Sequence, residues 1–294
     1  MSNQTVRTLK LTSMQEEKLY QAWRDSEVKA PAYARFQLRP ENCVITCYES
    51  GKTVFQGKDA DVYASPFMEQ EQPEEITVKT NDIFPQAGSD EVGTGDYFGP
   101  VCVCAVIVKQ SDMALIQKLG IRDSKALSDD TIRKAAPELM KQLVHSLLIL
   151  DNPRYNQVHL NNNMNAIKAR LHNQAYINLS RKAQLPSFKI IDQFVRESTY
   201  YIHLKNEPYI VRGIHFETKA EDKYPSVAAA SVIARYAFLR CMDAMEEKYG
   251  MTFHKGGGAL ADESGREFIA KFGKEKLGEV AKLHFKNTEK ITNG

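Results

Sequence analysis

Two adjacent acids, Asp90 and Glu91, lie within PQAGSDEVGTGDYFGPVCVCAVIV (85–108), between a short extended segment and a cluster of glycines. A third, Asp192, closes the apolar run FKII (188–191), and a fourth, Glu221, stands in TKAED just before an alanine-rich segment. Carboxylates repel one another at short range, so a cluster of them needs protons or cations to offset the charge. Asp192 is the most telling of the four, because an unpaired charge in apolar surroundings is costly. Strand carboxylates that converge form a hard, all-oxygen site, suited to magnesium or manganese rather than zinc. Two such ions about 4 Å apart can activate a water and stabilise a leaving oxygen in phosphodiester cleavage. Taken singly, the Asp90–Glu91 pair also reads as a solvated acidic loop, and both readings stand at this point.

The glycines after the acids fit neither common phosphate-binding pattern. GTGDYFG lacks the G-K-[ST] ending of a Walker loop, and Gly99 comes one residue too late for G-x-G-x-x-G. What remains is bare backbone around Thr94 that can approach a ligand closely, or a simple tight turn. In RDSKALS (122–128), Ser124 and Lys125 can hold a phosphate as hydroxyl donor and point charge. Ser128 followed by two aspartates is equally a helix start.

These residues must be positioned by an ordinary globular chain. It has 294 residues, 43% hydrophobic and 26% charged, enough for one large or two smaller domains. With 39 basic and 37 acidic residues the charge is nearly balanced, so any basic surface must be local. None of the five cysteines forms a C-x-x-C pair, which argues against zinc. Cys43/Cys47 and Cys102/Cys104 sit at even spacings within expected strands and read as small buried hydrophobes. The odd count and the lack of a signal peptide point to a reducing cytoplasm. No apolar run approaches the ~20 residues of a membrane span.

Patterning divides the chain in two. TVRTLKL (5–11) alternates like a strand, and Thr12 with Gln15 forms a capping box opening a helix to about Ala30. YARFQLR (33–39), CVITCYE (43–49) and TVFQG (53–57) read as strands, and 59–68 as a short helix. Together 1–68 form a small α+β domain. The acidic, proline-punctuated stretch 69–86 reads as a linker. From 87 to 294, strands at 101–108, 145–151 and 188–195 alternate with helices at 128–144, 163–182 and 224–250. That order predicts an α/β domain with a mixed sheet and helices on both sides.

GSDEVGTGDYFGPV, DSKALS, IIDQF and TKAED…VAAASVIARY, in this order, resemble the type 2 ribonucleases H, which cut the RNA strand of RNA/DNA hybrids. The match spans most of 88–250. Within that group the chain is similar to the ribonuclease HIII branch. Thr94 replaces the arginine usual between the glycines of the HII branch, and the N-terminal unit matches an HIII extension that resembles the TATA-box-binding fold. The resemblance implies a ribonuclease H-like catalytic domain with Asp90, Glu91, Asp192 and Glu221 as catalytic metal ligands for Mg2+ or Mn2+. Asp222, adjacent to Glu221, is the alternative fourth ligand.

The same resemblance implies that the backbone of Gly93, Thr94 and Gly95 reads ribose 2′-hydroxyls, where RNA differs from DNA. Ser124 and Lys125 would contact phosphate, and Asn163 and Asn165, in NNNMN, the substrate. The expected partner is an RNA/DNA hybrid and no membrane, and the expected state a monomer. The expected activity is endonucleolytic, leaving 5′-phosphate and 3′-hydroxyl ends. Two alternatives remain: a related metal-dependent nuclease of the same fold, and a non-catalytic hybrid-binding protein. Residues 1–80 carry 10 basic and 12 acidic residues, so a nucleic-acid-binding role there depends on charge placement.

Overall fold

Successive side chains of a strand point to opposite faces, so alternate burial reveals what covers each side of a sheet. The protein, seen here as a computed structural model, is described for residues 5–68, 83–121 and 127–293. It divides into two compact units, residues 1–77 and 78–294.

The first unit contains β1 (Thr5–Lys10), α1 (Ser13–Trp23), β2 (Glu27–Val28), β3 (Ala34–Leu38), β4 (Cys43–Tyr48), β5 (Lys52–Gly57) and α2 (Ala60–Met68). Its strands form one antiparallel sheet in the order β1-β5-β4-β3-β2. Thr12 and Gln15 make the expected capping box at the start of α1. The helix ends at Trp23 rather than near Ala30. Ser26 Oγ donates to the Trp23 carbonyl at 2.7 Å, a local bond that competes with further helical turns, and Val28 pairs with Gln37. The resulting edge strand β2 is absent from the sequence reading. Cys43, Ile45 and Phe55 face the side on which both helices pack, against Leu19, Ala60 and Ala64. The register turns Thr8, Lys10, Lys52 and Gln56 to the opposite face, where all four are exposed.

The second unit contains β6 (Gln86–Val92), β7 (Val101–Val108), α3 (Met113–Lys118), α4 (Asp129–Gln142), β8 (His145–Leu150) and α5 (Asn152–His159). It continues with α6 (Met164–Ser180), β9 (Phe188–Asp192), α7 (Glu197–His203), β10 (Ile214–Glu217), α8 (Pro225–Tyr249), α9 (Ala259–Phe272) and α10 (Lys286–Thr292). The sheet order is β10-β9-β6-β7-β8; β6, β7 and β8 are antiparallel, while β9 and β10 run parallel to β6. The expected mixed sheet, with helices on both sides, is therefore present.

β7 explains why its sequence is an unbroken apolar run. Cys102, Cys104, Val106 and Val108 face the core built with α4 and α8, and Val101, Val103, Ala105 and Ile107 face the core built with α6. A strand covered on both faces has no position for a solvated side chain. Three expectations shift. The strand expected over 188–195 stops at Asp192. The four-residue strand β10 was not expected, being too short for a clear alternation. Gln86, expected to end a linker, opens β6 and accepts from Ser226 N–H and Oγ–H on α8 at 3.2 and 2.8 Å. Among the described residues no helix is long and apolar enough to cross a membrane.

Candidate active site

Register on the central strand decides where each acid points. Asp90 on β6 pairs with Cys104, and Glu91 with Val103. Paired residues of neighbouring strands share a face, so Asp90 lies on the α8 side and Glu91 on the α6 side. β9 runs beside β6 in parallel, with Ser89 opposite Ile191 as the last pair. One residue further along both strands, Asp90 and Asp192 are neighbours on the same face. The two adjacent acids are thus split, and the acid a hundred residues away is brought alongside.

Close packing of α8 makes this possible. A Cβ on Gly88 would meet the backbone of Ser226 and Val227 within 2.5 Å, so the helix lies almost on the strand. Ser231 of α8 hydrogen-bonds the Asp90 carboxylate, whose Oδ1 also accepts from Glu91 N–H at 2.8 Å. Asp192 Oδ1 accepts from Ala220 N–H at 2.9 Å. That bond fixes the 3₁₀ turn Ala220–Asp222, entered through Lys219 in the left-handed region at φ 55°. The turn settles the orientation of its two acids: Glu221 is 4% exposed and hydrogen-bonds Asp192, while Asp222 faces solvent.

The electrostatics are those of a site short of positive charge. Burial, then the charges of Glu91 and Asp192, push the Asp90 carboxyl up to about 8. Burial and the charges of Glu221 and Glu91 raise Asp192 too. Glu91 goes the other way. Burial would raise it, but His172 and Lys168 hold it below the ordinary carboxylate value. Its Oε2 lies 2.8 Å from His172 Nε2, and Lys168 pairs with Oε1. Among the described residues, no three Asp, Glu, His or Cys side chains stand close enough to cage an ion as placed. The donor set nevertheless fits a hard divalent cation, because such an ion would offset the repulsion that keeps Asp90 and Asp192 raised.

The glycine loop after β6 is shaped for close approach. Gly93 has φ 96°, and a Cβ there would lie 2.1 Å from the Pro100 carbonyl, so only glycine fits. Nothing lies within 4 Å of the equivalent point on Gly95, and Thr94 is half-buried beside it. The buried Lys282 ties the loop from below, donating to the Asp96 and Gly99 carbonyls at 2.8 and 2.5 Å, and Asn152 donates to Gly99 at 2.9 Å. Asn163 caps α6, accepting from Ala166 N–H at 2.9 Å; Asn165, in the first turn, is exposed. Ser124 and Lys125 lie outside the described residues. Ser128 is the N-cap of α4, as one of the two readings of that segment has it.

His172, Lys168, Ser231, Lys282 and Asn152 were not expected from sequence. A signal existed for two of them. Lys168 and His172 are four apart, so they share one face of α6, a face otherwise buried.

Comparison with known proteins identifies the family. Residues 87–288 match the family described as Ribonuclease HII, and residues 6–80 match a Domain of unknown function (DUF3378). The chain is 42% identical over 266 residues to a Ribonuclease HIII of Geobacillus sp. (strain WCH70), covering 88% of each chain. It is 40% identical over 274 residues to the Ribonuclease HIII of Bacillus licheniformis, covering 87% of this chain and 88% of the relative. The crystal structure of Bst-RNase HIII in complex with Mn2+ superposes with a TM-score of 0.70 at 36% identity, covering 98% of each chain. The buried carboxylates, the glycine loop and these matches agree: the chain belongs to the ribonuclease HIII family.

Proposed function

We propose that this chain hydrolyses the RNA strand of RNA/DNA hybrids internally, leaving 5′-phosphate and 3′-hydroxyl ends, with Asp90, Glu91, Asp192 and Glu221 holding divalent metal. The observation that carries the reading is Asp90 beside Asp192 on adjacent parallel strands, with Glu221 hydrogen-bonded to Asp192. Carboxylate donors suit Mg2+ or Mn2+, and the Bst-RNase HIII neighbour is a complex with Mn2+. A divalent ion bound there supplies an activated water at neutral pH and neutralises charge on the leaving oxygen. Burial of Asp90 and Glu221 keeps bulk water from screening that charge. Glu221, not Asp222, is the fourth ligand in this reading, because only Glu221 points into the cluster.

The open backbone at Thr94 and Gly95 serves to meet the minor groove of the hybrid, where 2′-hydroxyls mark the RNA strand. Ser124 and Lys125 take a phosphate, and Asn165 faces the substrate, while Asn163 acts through its cap on α6. The first unit adds a second contact surface. Its helices cover one side of the sheet only, which suits the TATA-box-binding resemblance. The open face places Lys10 and Lys52 opposite each other, giving local positive charge in a unit whose net charge is negative.

The test is a hybrid labelled either internally or at one end, incubated with and without Mg2+. Metal-dependent internal cuts in the RNA strand alone support the reading. Stepwise release from an end would make the chain an exonuclease of the same fold, and binding without cleavage would make it a hybrid-binding protein.

A further inference from the structure

We infer that His172 is a positioning residue that aims the Glu91 carboxylate at the metal site, with Ser89 fixing which ring nitrogen carries the hydrogen. The inference rests on the reading of Glu91 as a metal ligand.

His172 and Ser89 are both completely buried. The imidazole bridges two residues of β6 that stand two apart and therefore share a face: Nδ1 lies 2.6 Å from Ser89 Oγ, and Nε2 2.8 Å from Glu91 Oε2. An ionised carboxylate can only accept, so the hydrogen belongs on Nε2. Nδ1 is then an acceptor, and the Ser89 hydroxyl donates to it. Among the neutral forms of the ring, only this arrangement satisfies both nitrogens. The Phe194 ring stacks on the imidazole with centroids 5.5 Å apart, which restrains the tilt of its plane. Lys168 holds the other carboxylate oxygen and is itself pinned 4.0 Å from the centre of the same Phe194 ring.

Glu91 needs such support more than its neighbours do. Asp90 is held by its own strand and by Ser231, and Asp192 by the backbone of Ala220. Glu91 has a longer side chain and leaves β6 on the α6 side of the sheet, while its charge still reaches Asp90 and Asp192. Without a donor at Oε2 its rotamers would be set by Lys168 alone, a cation that also opposes binding of another cation. An imidazole donating to a ligating carboxylate is the kind of outer contact whose loss weakens metal affinity by about 10- to 100-fold.

The test compares Mn2+ binding by calorimetry, without substrate, in wild type, Glu91→Gln, His172→Leu and His172→Gln. Glutamine can place an N–H near the position of Nε2, whereas leucine fills the space without a donor. We expect His172→Leu to weaken Mn2+ binding about tenfold and His172→Gln to stay within about threefold of wild type. Adding His172→Leu to Glu91→Gln should change nothing further. Nitrogen-15 NMR of the metal-free protein should show a hydrogen on Nε2 and none on Nδ1 of His172, and Ser89→Ala should shift the Nδ1 resonance. Should His172→Leu fail to fold, the NMR signature and a drop of about threefold in Mn2+ affinity in Ser89→Ala decide the matter. Unchanged Mn2+ affinity in Glu91→Gln would remove Glu91 from the site and overturn the parent reading. Weakened affinity in Glu91→Gln, with wild-type affinity in both His172→Leu and Ser89→Ala, would overturn the positioning role alone. A bare Nε2, with the hydrogen on Nδ1 alone, would overturn it as well.

Discussion

The two units of this chain use a five-stranded sheet in opposite ways. In the first, both helices pack on one side and leave Thr8, Lys10, Lys52 and Gln56 exposed on the other. In the second, cores cover both faces, and every residue of β7 is buried. A sheet open on one side offers its face, where polar groups stay solvated until a partner arrives. A sheet covered on both sides offers only its strand ends, and the carboxylates stand there. Broad contact suits a solvated surface. Metal chemistry suits a buried strand end, where charge is poorly screened and geometry is held by the core.

The comparison breaks first, and most severely, at the strand ends. On the proposed function, Asp192→Asn and Asp90→Asn should each reduce kcat roughly a thousandfold or more, since removing a metal ligand forfeits several kcal/mol of charge stabilisation. Hybrid affinity, read by fluorescence anisotropy, should change little. Near wild-type turnover in Asp192→Asn would take that residue out of the site.

Burial in the second unit also predicts a pH effect away from the acids. Burial pushes the Lys282 ammonium down to about 8. Between that value and the ordinary 10.5, the unfolded chain holds a proton that the native protein lacks, so stability rises with pH across this window. The neutral amine keeps two N–H groups, so both loop carbonyls stay bonded. Wild type should gain as much as about 3 kcal/mol from pH 8 to 10.5 relative to Lys282→Met, which lacks the titration. Urea unfolding of both proteins across the window measures it. Equal pH slopes would mean that the ammonium is solvated.

Within the acidic turn, Glu221→Gln should cost about a hundredfold in kcat/KM, some ~2.7 kcal/mol, and Asp222→Asn almost nothing. The reverse ranking in side-by-side turnover assays would move the fourth ligand to Asp222. On the open sheet of the first unit, Lys10→Glu with Lys52→Glu should raise KM about tenfold and leave kcat nearly unchanged, because only uniform binding is lost. The salt dependence of hybrid affinity should become shallower in that variant. A fall in kcat at constant KM would end the division of labour between the sheets.

The smallest contrast separates two neighbouring asparagines. Asn163→Ala should lose about 1 kcal/mol of stability through its cap on α6. Asn165→Ala, exposed at the second position of the helix, should leave the unfolding midpoint alone and affect only KM. Equal midpoints for both variants would mean that the cap contributes nothing.

Much of this was legible locally. Thr12 with Gln15, and Ser128 before two aspartates, announce helix starts because capping depends on residues three apart. The run VCVCAVIV announces a strand buried on both faces. The division of Asp90 from Glu91 was legible too, since neighbours on a strand point opposite ways, although the glycine loop invites reading them as a pair. The end of α1 was not, because the pairing of Val28 with Gln37 depends on a separate strand, β3.

The sequence by itself determined the chemistry: which residues are acids, that Asp192 closes an apolar run, and that bare glycine backbone follows Asp90 and Glu91. Only the tertiary structure decided that Asp90 and Asp192 are neighbours, that Glu221 rather than Asp222 turns inward, and that His172 and Lys168 clasp Glu91. The physical reason is range. Capping and alternation are set by residues within a turn or two of each other. Register between β6 and β9, a hundred residues apart, is set by how two cores pack against both faces of the sheet at once.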